Sequence, residues 1–510
     1  MNQIKAGAVL SYVVIFLNTF VGLFIMPLMV RRLGPSEFGL YTLMGSFIGY
    51  FMILDFGLNS TIIRYLAKYI AEKDKKGKEN FLAITLIIYS VIAVILVLAG
   101  VIFYWNIKTI FGRSFTTEEL SKAKQLFSLV IINMPATLLA KYFIGVIKGY
   151  EKFIFASNLA VLRTVCKAVM LVALLLLGYK ALGIVLLDTV LNLWMLIASV
   201  IYVFAKLKIK IYLHHLDKLL IAEVFSFSFF IFLSMITDQI YWRVGNLVLG
   251  IVSGTAAVAV YSIGLQLNLY FMQCSGAMSG LFLPRATQMV VSGASGEDLT
   301  ELLIKVGRIQ FLLIGFILSG FILFGKQFVV FWVGKDYVQS FTIAVIMMVP
   351  LAIPLIQNVG ISILQAQNKH AFRAIVYLGI TIANLAVGFV LAKYYDGIGI
   401  AVSTAASLTV GNIIIINIYY HYKVGLNIPR FFKSISKLLP AILGTVLVSL
   451  LFNLFLNNDS WIMFIARVMI FAVIYMLSIY LFGMNEYEKS YVTKPLMRAK
   501  TLLLGKKNYA

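Results

Sequence analysis

The sequence predicts an all-α polytopic membrane protein, and three observations lead there. Of its 510 residues, 61% are hydrophobic and only 12% are Asp, Glu, Lys or Arg, about half the charged share of an ordinary soluble domain. The deficit runs along the whole chain, so mean hydropathy reaches +0.96. Apolar segments long enough to cross a bilayer as helices, ~20 residues each, recur fourteen times. These segments also fall into an internal repeat of six. The expected fold is therefore fourteen transmembrane helices: two six-helix lobes related by a two-fold axis along the membrane normal, plus two C-terminal helices.

The spans centre near residues 19, 51, 93, 135, 166, 194, 235, 270, 315, 353, 382, 408, 447 and 471. The first, from about Val9 to Val30, is as long as the others and lacks a small-residue cleavage site, so it reads as a permanent span and not a signal peptide. The interruptions leave no room for a second soluble domain. Residues 1–218 form the expected N-lobe and 219–436 the C-lobe, each with its following loop. Spans 13 and 14 occupy 437–484, and 485–510 is a polar tail. Pro27, Pro135, Pro284, Pro350 and Pro354 interrupt or end spans, and Gly57 loosens span 2.

Lys and Arg set the orientation. With both termini cytoplasmic, cytoplasmic segments hold 28 of the 43 Lys and Arg residues, external segments hold 10, and five lie within spans. The opposite orientation violates the positive-inside rule by nearly threefold. The basic runs "KYIAEKDKKGK" (68–78) and "KLKIKIYLHHLDK" (206–218) then act as topology determinants touching anionic lipid, and need no nucleic-acid partner.

Three ordered matches carry the repeat. "GPSEFGLYTL" (34–43) pairs with "GTAAVAVYSI" (254–263) at an offset of 220, and "IKGYEKFIF" (147–155) with "LQAQNKHAF" (364–372) at 217. "LGIV" (182–185) pairs with "IGIA" (398–401) at 216. An even number of spans keeps both copies in one orientation, the plan of an alternating-access carrier with a central cleft.

Several motifs that resemble chemistry fail in context. "GFILFGKQ" (320–327) lacks the Ser or Thr of a phosphate-binding loop, since Gln327 stands there, and no strand precedes it. "DFG" (55–57) has no accompanying kinase motifs. Cys166 and Cys274 lie in apolar runs as packed thiols, and the four histidines lie in polar loops. No cofactor, metal or enzymatic constellation is expected.

Charges within spans are different, because each costs about 2.5–3.5 kcal/mol at the centre of an isolated helix. Such residues face a cavity or a partner. They are Asp55, Lys141, Arg163, Lys167, Asp188, Asp238, Arg243 and Arg467, with Arg64 and Glu223 able to snorkel from span ends. Applying the offsets pairs Asp55 with Ser275, Lys141 with Asn358, Lys167 with Asn384, Asp188 with Thr404 and Asp238 with Asn18. Five charged positions map onto five polar ones, as a shared polar interior requires. Arg163 and Arg243 map onto Ile380 and Leu23 and break the pattern.

Helix geometry adds detail. Arg163 and Lys167 share one face of span 5, where they repel unless an anion lies between them. Asp55 shares a face with Asn59, while Arg64 lies about 13 Å further along a straight helix and on its opposite side. Gln266, Asn268 and Gln273 on span 8, with Gln357 and Asn358 on span 10, suit contact with sugar hydroxyls or hydrogen bonds between helices. For the cations two readings stand: ion pairs that hold helices together, or an anion-binding cavity.

The stretch "RRLGPSEFGLYTLMGSFIGYFMILDFGLNSTIIRYLAKY" (31–69) resembles the opening signature of the polysaccharide-transporter family. These are the Wzx-type flippases of lipid-linked oligosaccharides, within the multidrug/oligosaccharidyl-lipid/polysaccharide exporter superfamily. "GYEKF" (149–153), "VAVYSIGLQL" (258–267) and the fourteen-span plan extend the resemblance over essentially the whole chain. It implies a bacterial cytoplasmic (inner) membrane protein that moves an undecaprenyl-pyrophosphate-linked oligosaccharide repeat unit outward for O-antigen, capsule or exopolysaccharide assembly. Arg163, Lys167, Arg243, Lys141 and Arg64 are then candidates for the pyrophosphate, and the five amides for the sugars. Asp55, Asp188 and Asp238 are candidates for H+ or Na+ coupling or for cavity charge. Membrane lipid, a polysaccharide polymerase and a chain-length regulator are the other implied partners. The alternatives are a lipid II flippase for peptidoglycan and a multidrug cation antiporter, and the excess of in-span cations weighs against the latter.

Overall fold

A computed structural model describes residues 3–279, 282–367, 369–455 and 460–490, and no strand occurs among them. The helices are α1 (Gln3–Phe51), α2 (Leu58–Ala71), α3 (Lys75–Phe111), α4 (Thr117–Gly149), α5 (Phe153–Leu176), α6 (Ala181–Ile201), α7 (Lys218–Val252) and α8 (Thr255–Ser279). They continue as α9 (Leu283–Val291), α10 (Gly296–Trp332), α11 (Gln339–Ile356), α12 (Asn358–Ala366), α13 (His370–Leu408) and α14 (Ile416–Tyr419). The last three are α15 (Ile428–Ser436), α16 (Leu439–Phe455) and α17 (Trp461–Ser478).

Among the described residues, eleven helical stretches are long and apolar enough to cross a membrane. Two of them, Phe16–Ala71 and Phe372–Val424, are 56 and 53 residues long, enough for two crossings each. Each contains a residue outside helical geometry: Gly34 (φ 77°, ψ 172°) and Asp396 (φ 47°, ψ −132°). The 35-residue α7 covers the span expected near residue 235. Fourteen crossings fit this arrangement.

Surface chemistry agrees with a lipid surround. Helix α3 exposes Ile87, Val91, Ile95, Leu98, Ile102 and Trp105 while burying Tyr89, Ile92 and Leu96. Steps of three and four residues put the exposed set on one stripe. In water that stripe would oppose folding; in hydrocarbon it faces its solvent.

The first repeat match has a backbone cause. Gly34 and Gly254, which open the two matched segments, both take left-handed φ (77° and 87°), which glycine adopts without steric cost. Glu119 gathers the surrounding turns. Its carboxylate accepts from Ser36 Oγ and Thr255 Oγ1, at 2.6 Å each, and from the Thr116 amide that begins α4.

The contacts divide the chain into two compact units. One comprises Met1–Leu265, Trp332–Ser340 and Thr381–Ser403; the other comprises Gln266–Phe331, Phe341–Ile380 and Thr404–Ala510. In the first unit, α2 packs on α4 through glycine. A Cβ on Gly149 would lie 2.6 Å from Leu66 Cδ2, and one on Gly145 would lie 2.9 Å from Asn59 Nδ2. This is the small-residue approach that membrane helices use in place of a hydrophobic drive.

In the second unit, Phe324, Phe471 and Tyr475 form a core between α10 and α17. Tyr475 donates to the Leu312 carbonyl at 2.8 Å. Arg467, one of the in-span charges, donates to Gln327 at 2.9 Å, the residue that spoils the apparent phosphate loop. Cys274 is exposed and not packed as its apolar setting suggested, and Cys166 is half-buried; both are free thiols.

The chain beyond α17 is anchored by charge. Arg308 and Glu488 are 5% and 3% exposed and meet through two hydrogen bonds of 2.5 and 2.9 Å. The remaining Arg308 donors reach the Ser434 and Gly483 carbonyls at 2.7 and 3.0 Å. Removing one partner of such a pair strands a buried charge at a cost of about 3–5 kcal/mol, whereas replacing both by apolar residues costs far less. R308M should therefore lower the melting temperature of the detergent-solubilised protein sharply, and R308M/E488L should recover most of that loss. Equal loss in the two variants would refute the ion-pair account.

Candidate transport site

Helices α2, α4, α5 and α6 of the first unit, with the turn before α2, bring polar groups together. Helix α4 supplies Asn133, Thr137 and Lys141; α5 supplies Arg163 and Lys167; α6 supplies Asp188, Thr189 and Asn192. The α1–α2 junction supplies Asp55 and Asn59. Spacing of three or four residues keeps the α4, α5 and α6 sets each on one helix face. Asp55 and Asn59 lie on either side of a break at Phe56–Gly57, so the shared straight-helix face expected for them does not apply.

Asp188 lies between the two α5 cations. Its Oδ1 is 2.7 Å from Lys167 Nζ and 3.9 Å from Arg163 Nη2. The anion that the Arg163–Lys167 spacing requires is thus a side chain of the neighbouring helix. Arg163 Nε also donates to Asn192 Oδ1 at 2.9 Å. Asn192 Nδ2 donates onward to Asn133 Oδ1 and Thr137 Oγ1 at 2.9 and 3.1 Å, and Asn133 Nδ2 donates to Thr189 Oγ1 at 3.2 Å. On the other side of Arg163, Thr164 donates to Asn18 at 3.1 Å.

Asp55 occupies a break in the chain. Met52–Asp55 tightens to a 3-10 turn, after which Phe56 (φ 50°) and Gly57 (φ 70°) are both left-handed before α2 begins. Span 2 is therefore interrupted and not merely loosened at Gly57, and straight-helix distances from Asp55 to Arg64 do not apply. A left-handed phenylalanine is unfavourable by itself; its ring stacks on Phe232 at 4.2 Å between centroids. The Asp55 carboxylate accepts from Tyr89 Oη at 2.7 Å and lies 3.7 Å from Lys141 Nζ. Asn59 donates to the Lys141 carbonyl.

Exposure separates the signs of charge. The Asp55 and Asp188 side chains are 4% and 16% exposed, whereas Lys141, Arg163 and Lys167 are 35%, 26% and 29% exposed. The carboxylates are the more buried partners and the cations the more exposed. Three cations against two carboxylates also leave one positive charge in excess.

The other sequence candidates are placed differently. Arg64 is exposed on α2 beside the ring of Tyr65. Asp238 and Arg243 are exposed on α7, and Arg243 lies against Gly49, where a Cβ would come within 2.8 Å of its Cδ. In the second unit, Gln266 is half-buried and Gln273 exposed. Asn268 donates to the Ala344 carbonyl at 3.4 Å and Gln357 to Asn417 at 2.7 Å, so both amides serve contacts between helices. Asn358 donates to Ser275 Oγ at 2.8 Å.

That last bond has a counterpart. Ser275 and Asn358 are the repeat equivalents of Asp55 and Lys141, and each pair is in contact within its own unit. The same two helix positions hold an ion pair in one copy and a neutral hydrogen bond in the other.

A family model described as "Polysaccharide biosynthesis protein" matches residues 4–290, which include every member of the α4–α6 cluster. The chain belongs to this family. The resemblance read from residues 31–69 is borne out. A Shigella flexneri protein named "Putative O-antigen transporter" is 21% identical over 387 residues, covering 74% of this chain and 88% of that protein. Among solved structures, the lipid II flippase MurJ in an inward closed conformation superposes with a TM-score of 0.72 at 15% identity, covering 96% of this chain and 99% of that one. An inward-facing multidrug resistance transporter of the MATE family and MOP superfamily gives 0.65 at 14% identity, covering 78% of this chain and 92% of that one. At such identities the superpositions establish the fold alone, that of an all-helical multi-pass membrane protein.

The paired contacts carry a test of the repeat. K141N leaves the buried Asp55 carboxylate without its cation and should cost about 3 kcal/mol or more. D55S/K141N installs in the first unit the pair that the second unit uses, and should regain most of that stability. Thermal unfolding of the two purified variants checks this; a double variant no more stable than K141N contradicts it.

Proposed function

We propose that this protein is a flippase that carries an undecaprenyl-pyrophosphate-linked oligosaccharide repeat unit across the bacterial cytoplasmic membrane, for surface polysaccharide assembly. The observation that carries the reading is the single Asp188 shared by Arg163 and Lys167, with both cations more exposed than the carboxylate. A pyrophosphate offers more acceptor oxygens and more charge than one carboxylate. It therefore exchanges for Asp188 on these two side chains through short, charge-assisted hydrogen bonds. Asp188 then serves as the resting counter-ion. It limits the cost of two cations within apolar spans when no cargo is bound, and it reclaims them on release.

Transport by alternating access requires the cargo to bind and leave with comparable ease, and a built-in competitor supplies that balance. The break at Asp55–Gly57 gives the first unit a place to bend, and the Asp55–Lys141–Tyr89 contacts give protonation of Asp55 a structural consequence. This makes Asp55, with Asp188, the favoured site for coupling to H+ or Na+. The excess of basic residues in alternate loops supports cytoplasmic termini. Membrane lipid would accommodate the polyprenyl chain, and polymerase and chain-length regulator proteins would act on the delivered unit.

A lipid II flippase is the second reading, favoured by the MurJ-like fold. Both cargoes carry a pyrophosphate, so the cation cluster serves either. Gene deletion separates them: loss of one surface polymer with continued growth supports the first reading, and arrest of growth supports the second. A cationic drug as cargo conflicts with an accessible surface that presents Lys141, Arg163 and Lys167.

R163Q/K167Q should abolish surface-polysaccharide assembly while leaving the amount of membrane-inserted protein unchanged, as judged by polymer staining and immunoblotting of the same cells. Normal polymer in that variant removes the pyrophosphate site.

A further inference from the structure

The second unit contains a charged cavity that shares no residue with the transport cluster. It measures about 320 Å³ and is lined by residues of α10, of α15 and of the segment after α17. That size lies at the lower end of small-ligand sites. The lining contributes five cations, Lys305, Arg308, Arg430, Lys433 and Lys437, against two carboxylates, Glu301 and Glu488.

Both carboxylates are already engaged. Glu488 is spent on Arg308, forming a buried floor whose donors also reach two backbone carbonyls. Glu301 lies 3.4 Å from Arg430 and 3.6 Å from Lys305, and Arg430 also pairs with Glu297. Among the described residues, no carboxylate pairs with Lys433 or Lys437. Lys433 on α15 and Lys437 in the turn that follows it are both exposed, and the opposite face of α15 is fixed by the buried Ile428, Phe431 and Ile435. The helix cannot rotate these ammonium groups away without exposing that apolar face.

The depth of the cavity points to one class of ligand. Helix α15 leads directly into the apolar α16, the cavity-lining part of α10 precedes the apolar run of that helix, and the Gly483 carbonyl on Arg308 ends the span that begins with α17. Three linings that lie where apolar spans start or stop place the cations at the headgroup level of a bilayer.

We propose that this cavity is a phosphate-binding site, occupied by the phosphodiester head of an anionic phospholipid, with Lys433 and Lys437 as its principal ligands. Lipid binding there joins α10, α15 and the segment around Glu488 at the membrane surface, apart from the transported cargo.

Full-length protein purified in mild detergent with dioleoyl-phosphatidylglycerol, and examined by native mass spectrometry, tests this. The wild-type protein should retain the lipid, and K433Q/K437Q should retain roughly tenfold less. K108Q/K335Q, which removes the same charge from two exposed lysines outside the basic runs, should retain it fully. In a second arm, inorganic phosphate is added to lipid-stripped protein. If phosphate raises the melting temperature of wild type but not of K433Q/K437Q, and no lipid is retained, the site stands with soluble phosphate as its source. Equal lipid retention by the two variants, together with no selective effect of phosphate, overturns the proposal.

Discussion

A carboxylate within an apolar span must have a cation or a donor beside it, and the first unit is organised around meeting that demand twice. Asp188 fixes the facing sides of α5 and α6, because only one rotation of each helix brings Lys167 and Arg163 onto it. Asp55 does the same for the α1–α2 junction, α3 and α4 through Tyr89 and Lys141. The neutral residues then fall into place: Asn192, Asn133, Thr137 and Thr189 satisfy one another because the charged groups have already set the faces. In membrane helices, where apolar surface gains nothing by leaving lipid, such polar contacts and glycine-mediated close approach set helix rotation.

The same demand explains why the chain breaks at residues 52–57. A continuous helix would hold its own carbonyls and leave Asp55 as a lone charge on a cylinder. The 3-10 turn and the two left-handed residues sink the carboxylate between α3 and α4, where Tyr89 and Lys141 reach it. The unfavourable backbone of Phe56 is offset by these contacts and by its ring stack, so the bend and the charge stabilise each other. Replacing Asp55 by an apolar residue would weaken both together.

Much of this was legible in the sequence, for a physical reason. Spans announce themselves because hydrocarbon tolerates little else, and charges within them stand out because each needs a justification. The repeat was readable where backbone conformation constrains residue type, as at Gly34 and Gly254. Tyr89, Asn133, Thr137 and Asn192 were missed because neutral polar side chains are cheap in a helix and common in every span. The α4 and α6 residues had one signal, their spacing of four or eight residues from Lys141 or Asp188, and Tyr89 had none. Gln357 and Asn268 suited sugar contact equally well on paper, since an amide has the same donors for a hydroxyl as for a neighbouring helix. The left-handed Phe56 had no signal, because an aromatic residue carries no propensity for that conformation.

The repeat also shows how the two copies have parted. Ser275 and Asn358 hold their helices together with a bond that requires no counter-charge. Asp55 and Lys141 hold theirs with an ion pair, in which each charge needs the other. Nearby, Arg163 has only Ile380 as its counterpart, so the added positive charge belongs to one copy. The neutral pair loses about one hydrogen bond when either partner changes, whereas loss of one charged partner strands the other within an apolar span.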